Sequence, residues 1–78
     1  MFTIRQMRYF DALATTLHFR KAAELANISQ PALSAQIAEM EAITGEPLFE
    51  RSQRKVIMTE LGRELLPGIR TILKELHA

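Results

Sequence analysis

A chain of 78 residues holds one small domain, and at that size folding buries only roughly 60% of the surface the unfolded chain exposes, so partners help to stabilise it. The absence of cysteine excludes a disulfide framework, a thiolate nucleophile and a Cys-based zinc site, and the two histidines, His18 and His77, lie far apart with no carboxylate at ligand spacing. Ten cations against nine anions leave a net charge of +1, so affinity for a polyanion must come from where the charges sit.

The opening "MFTIRQMRYF" is interrupted by charge too early for a signal peptide. No apolar run approaches the roughly 18 residues of a membrane span, and a reducing cytoplasm is the expected compartment. Thr3 followed by Gln6 forms a capping box for a first helix. Met7, Phe10, Leu13 or Ala14, and Leu17 recur at helical spacing, and the helix is expected to end near Thr16. His18 starts a shorter second helix, "FRKAAELA", with Phe19, Ala22, Ala23 and Ala26 inward. The small Ala22 and Ala23 allow another helix to approach closely.

Asn27 suits the left-handed conformation that closes a helix, and Ser29 reads as the N-cap of a third. Pro31 falls in its first turn, where a missing N–H costs nothing. Leu33, Ile37 and Met40 form the apolar stripe, Gly45 is the residue past the end, and Pro47 prevents continuation. Two β-prone runs, Leu48–Arg51 and Lys55–Met58, flank a polar turn without Gly or Asn-Gly, so a hairpin is expected with its loop type open. Thr59 caps a last helix whose stripe is Leu61, Leu65, Ile69, Ile72, Leu73 and Leu76. Pro67-Gly68 interrupts that pattern, and a bend or fresh start is expected there.

Helix, helix, helix, hairpin, helix, with a tight turn before Ser-Gln-Pro, is a helix-turn-helix with a wing. The fold class is mainly α: three helices and a two-stranded wing over residues 1–58, then a long linker and dimerisation helix over 59–78. In that architecture the third helix enters the DNA major groove by its N-terminus. Its side opposite the stripe carries Pro31, Ala35, Ala38, Glu39 and Ala42, flanked by Ala32 and Ser34. Small residues suit a groove about 12 Å wide, and long acids come only late, as Glu39 and Glu41. Gln30 can pair bidentately with adenine, Pro31, Ala32 and Ala35 suit thymine methyls, and Ser34 can bond a base or a phosphate. "RSQRK" places Arg51, Arg54 and Lys55 at the wing tip without an acid, to follow the backbone or set Arg54 in a narrow A·T minor groove.

Each feature has a plainer reading beside this one. Ser29-Gln30-Pro31 is what any helix cap looks like, an alanine-rich face raises helix propensity, and "RSQRK" and Arg20-Lys21 also suit solvated surface. Cap, small face and basic turn nevertheless occur in the order the winged architecture requires.

The stretch "RYFDALATTLHFRKAAELANISQPALSAQIAEMEAITGEPLFERSQRKVIMTELG" closely resembles the N-terminal DNA-binding region of LysR-type transcriptional regulators. The resemblance rests on "RYF", "HFRKAAELANISQPALSAQI", "ME…TGEPLFER", the basic turn "SQRK" and T-x-x-G at the last helix, in that order. "LHFRKAA" is also similar to the peroxide-sensing OxyR branch of that family. It implies a bacterial, cytoplasmic and nucleoid-associated regulator that is not an enzyme and needs no cofactor or metal in this region. Its partner would be double-stranded DNA at a dyad-symmetric site with a T…A core.

Base contacts carry over to Gln30, Pro31, Ala32, Ser34 and Ala35, and phosphate contacts to Ser29 and Gln36. The wing arginine is Arg54, supported by Arg51 and Lys55, with Arg20 as a further phosphate position. The last helix would pair with its twin in a homodimer through Leu65, Ile69, Ile72, Leu73 and Leu76, with a tetramer as a further state of the full-length protein. Two departures stand out. Ala35 occupies a position where many members carry arginine or another polar residue, and Pro67 falls inside the pairing helix. The family's effector-binding domain has no counterpart after His77, so the chain is expected to be an isolated head. A winged helix that docks a protein partner is the competing function, and steep salt dependence would separate DNA binding from it.

Overall fold

The computed structural model describes residues 1–77. Its elements are α1 (Ile4–Thr16), α2 (Phe19–Ala26), α3 (Gln30–Thr44), β1 (Phe49–Ser52), β2 (Lys55–Met58) and α4 (Glu60–Leu76). Local chemistry sets most of these boundaries. Thr3 and Gln6 close the capping box in both directions, each bond at 3.0 Å. Asn27 at φ 60° and Gly45 at φ 76° take the left-handed conformation that lets the chain leave α2 and α3. Ser29 Oγ accepts the Ala32 N–H at 3.2 Å. Thr59 Oγ1 accepts the Gly62 N–H at 3.1 Å and donates to the Pro47 carbonyl at 2.8 Å.

The end of α1 differs from expectation. Leu17 is not on the helical face; it is the C-cap, left-handed at φ 51°, with its N–H on the Leu13 carbonyl at 2.7 Å. Its side chain is therefore largely outside the core. The turn into α2 follows at once, and His18 rather than an alcohol caps it, Nδ1 accepting the Lys21 N–H at 3.2 Å.

Phe10, Leu13, Leu33, Met40 and Leu48 are the large side chains fully removed from water. Each is worth about 1.5–3 kcal/mol on burial. Ala22 and Ala23, also buried, let α2 close onto its neighbours. The Phe10 and Phe49 rings meet at 5.3 Å, tilted by 55°, and so tie the wing's first strand to α1.

β1 and β2 pair antiparallel, Phe49 with Met58 and Ser52 with Lys55, so β1 begins one residue later than its β-prone run. Two residues make the turn, Gln53 at φ 48° and Arg54 at φ 67°. Positive φ at both central positions is the signature of the type I′ hairpin turn, which matches the strand twist. Neither residue is one the turn prefers, and holding them there stores strain.

No fresh start occurs at Pro67: α4 is a single helix from Glu60 to Leu76 with the proline inside it. The carbonyl that loses its donor belongs to Arg63, an exposed residue, so proline there leaves no acceptor buried. Ile69 and Leu73 of α4 are only 5% and 8% exposed, packed into the chain's own core, while Ile72 and Leu76 face outward. Arg70 fastens the same helix to α1, Nε donating to Asp11 at 2.7 Å and an Nη to Thr15 at 3.1 Å. At its start α4 sits so close to the hairpin that a Cβ on Gly62 would overlap the Leu48 carbonyl oxygen.

Candidate nucleic-acid interface

With Leu33, Ile37 and Met40 turned inward, α3 presents Gln30, Pro31, Ala32 and Ala35 at its front and Ala38, Glu39 and Ala42 behind, all exposed. Apart from Gln30 and Glu39 no side chain on that face extends beyond a methyl or a pyrrolidine ring, so the backbone of α3 can come close to whatever docks there. Ser29 precedes it, its oxygen engaged as the cap and its O–H free to donate outward. Ser34 is half-buried on the flank toward the wing, in a crevice shared with Phe19, Glu41 and Arg51. Gln36 occupies the opposite flank, beside the start of α1, where its Oε1 accepts from Gln6 Nε2 at 3.2 Å.

Glu41 is not one of the trailing surface acids. It is half-buried, and its Oε2 accepts the backbone N–H groups of Leu48 at 2.7 Å and Phe49 at 3.2 Å. The acid expected to leave the groove instead clamps α3 to the base of the wing, and Glu39 alone keeps the role the sequence pattern assigned to both.

Beyond that clamp the wing folds back toward α2. The Arg51 guanidinium lies 3.9 Å from the centre of the Phe19 ring. Such a contact is worth about 0.5–1 kcal/mol at an exposed site, and it holds the wing's first cation in a defined place. Arg51, Arg54 and Lys55 then share one open cleft with Arg20 and Gln30, and no carboxylate lines it. Arg20 also meets Glu24 at 3.8 Å, but both side chains are well exposed, and a pair of that kind holds by about 0–1 kcal/mol. A phosphate can displace it.

The fold therefore brings Arg20, Gln30, Arg51, Arg54 and Lys55, scattered over α2, α3 and the two strands and turn of the wing, to one surface. Three contributors escape a reading of spacing alone. His18 lines the same cleft; because Nδ1 accepts a backbone N–H, its neutral ring carries the proton on Nε2, a donor. Phe19 reads as a core aromatic yet also seats Arg51, and Gln6 reads as a capping residue yet reaches α3. The long-range partners of Phe19 and Gln6 carry no local signature.

On the far side of the head, Met1, Phe2, Met7, Leu65, Gly68, Ile69 and Ile72 line an almost wholly apolar groove between α1 and α4. Among the described residues no group of His, Asp or Glu is placed to hold a metal ion. No helix among the described residues is long and apolar enough to cross a membrane.

Residues 4–63 match the family model described as "Bacterial regulatory helix-turn-helix protein, lysR family". The chain is similar to the HTH-type transcriptional regulator IlvR of Caulobacter vibrioides, 48% identical over 96% of this chain and 25% of the relative. It is 46% identical to the DNA-binding transcriptional dual regulator OxyR of Escherichia coli over 92% of this chain and 24% of that protein. Near-equal identity to both does not single out the peroxide-sensing branch. The chain spans about a quarter of the length of these relatives. Its structure superposes on the CbnR DNA-binding domain, solved in complex with DNA, with a TM-score of 0.89 at 35% identity, covering 96% of this chain and 86% of that one.

Proposed function

The chain belongs to the lysR family of bacterial regulatory helix-turn-helix proteins, a family of transcription regulators rather than enzymes. From that premise we propose that it reads a dyad-symmetric, A·T-containing operator as a homodimer, with α3 in the major groove and the wing along the minor groove. The single observation that carries this reading is the joint surface: a nearly side-chain-free face of α3 continued by an acid-free cleft of Arg20, Arg51, Arg54 and Lys55.

Phosphate contacts from these cations, from the Ser29 hydroxyl and from Gln36 would supply affinity and fix register. Base edges would be read by Gln30 with polar atoms, and by Pro31, Ala32 and Ala35 through thymine methyls. Ser34 would reach a base or the backbone from the wing flank. Arg54, at the tip of a tight turn, is suited to a narrow minor groove. The Leu65, Ile72 and Leu76 positions of α4 remain accessible for pairing with a second copy, together with Met1 and Phe2 at the apolar groove. Ile69 and Leu73 would support that contact from beneath. A tetramer of the full-length protein is compatible with the same pairing.

Selection of bound sequences from a random duplex pool, at a stated salt concentration, tests this. An enriched palindrome whose affinity falls steeply with salt supports it, because release of condensed counterions makes phosphate-driven binding salt-sensitive. No enrichment, with salt-insensitive capture of a protein partner instead, would replace it by an interaction module.

A further inference from the structure

The amide of Gln36 has its direction set from another helix. The Thr3 N–H is a donor only, so the Gln6 atom that meets it at 3.0 Å is Oε1. Nε2 of Gln6 is then the atom turned toward α3, and it donates to Gln36 Oε1 at 3.2 Å. Gln6 is 6% exposed, and reversing its amide would press N–H against N–H at Thr3 while losing the bond to α3. The order of the chain is fixed: Thr3 N–H, Gln6 carbonyl, Gln6 amide, Gln36 carbonyl. At its end, Gln36 Nε2 keeps its protons, open to solvent and without an acceptor among the described residues.

We propose that Gln6 is a positioning residue for DNA binding, which turns Gln36 so that its N–H donors, and not its carbonyl oxygen, meet a backbone phosphate. The inference rests on the reading of α3 as the groove helix. Gln36 lies on the flank of α3 away from the wing, so the phosphate belongs to the groove edge opposite the basic cleft. With the amide reversed, a carbonyl oxygen would face a phosphate oxygen and the contact would become repulsive.

The test uses a duplex recovered from the pool selection and replaces its phosphates one at a time by neutral methylphosphonates. For the wild-type chain, the substitution at the contacted phosphate should weaken binding about tenfold, the worth of one hydrogen bond to a charged group. Gln36→Leu should abolish the penalty at that position alone, which identifies it. Gln6→Glu keeps the acceptor for Thr3 and removes the donor to α3, so Gln36 must turn its own donors inward. That variant should lose the same single penalty while all other positions keep theirs. If Gln6→Glu is unfolded by circular dichroism, Gln6→Leu serves, with the penalty expected to shrink at the same phosphate. Retention of the penalty in the folded Gln6 variant, or a uniform fall at every position, would overturn the inference. Failure of the wild-type chain to bind any duplex would instead sink the groove reading from which it starts.

Discussion

Glu41 holds Leu48: one carboxylate oxygen of α3 accepts the N–H that opens the wing, at 2.7 Å, and the next N–H, of Phe49, at 3.2 Å. This carboxylate joins the Phe10–Phe49 and Arg51–Phe19 contacts in setting the wing's orientation, and it is the one that ties the wing directly to α3. Glu41→Ala leaves two backbone donors in a part-buried place without an acceptor, and should cost about 2–3 kcal/mol of stability. Glu41→Gln, which keeps an oxygen, should cost about 1 kcal/mol. Urea denaturation measures both; equal stability of all three proteins would show that the clamp contributes nothing.

Arg54 sits where the turn would prefer glycine, at φ 67°. Arg54→Gly should therefore raise stability by about 0.5–1 kcal/mol through relief of that strain. The same variant should bind A·T-flanked sites less well, with a smaller loss on G·C-flanked ones. Thermal melting and paired binding titrations give the two signs. Equal loss on both flanks would remove Arg54 from the minor groove.

Gln30 is the one long polar side chain at the front of α3. Gln30→Ala should cost about 1–3 kcal/mol of binding and relax preference at one base position. A uniform fall across all sequences would make it a phosphate contact.

On α4, neighbouring residues separate pairing from folding. Ile72 is 45% exposed and Leu73 is 8% exposed. Ile72→Glu should leave a folded monomer. Leu73→Glu buries an unpaired charge in the head and should unfold it. Sedimentation alongside circular dichroism checks both, and an unchanged mass for folded Ile72→Glu would exclude this pairing face.

Gly62 has no room for a methyl group, because a Cβ there would overlap the Leu48 carbonyl oxygen. Gly62→Ala should destabilise by about 1–3 kcal/mol, as overpacking does. A midpoint in urea equal to wild type would contradict the close approach.

Much of this architecture is legible in the chain because its boundaries are local. Thr3, Asn27, Ser29, Gly45 and Thr59 each act on a backbone group within a few residues, and each is found at the helix end where its chemistry puts it. What was not legible acts at a distance or against propensity. Leu17 takes a left-handed conformation that leucine disfavours, because the turn into α2 demands it. Glu41 has the spacing of a surface acid and reveals its partners only when the wing folds back. Pro67 carries a local signal for a fresh helix start, yet α4 continues through it to bury Ile69 and Leu73 in the core. The grouping of Arg20 with the wing cations follows from packing that no periodicity encodes.

Arg70 binds α4 to α1 through both Asp11 and Thr15, and no hinge separates the head from its last helix. If two copies pair along α4, the assembly behaves as a caliper with rigid jaws. The gap between its reading tips is then a length machined into the helix pairing, and operators whose half-sites are set a few base pairs wider or narrower would be rejected by geometry before any base is read.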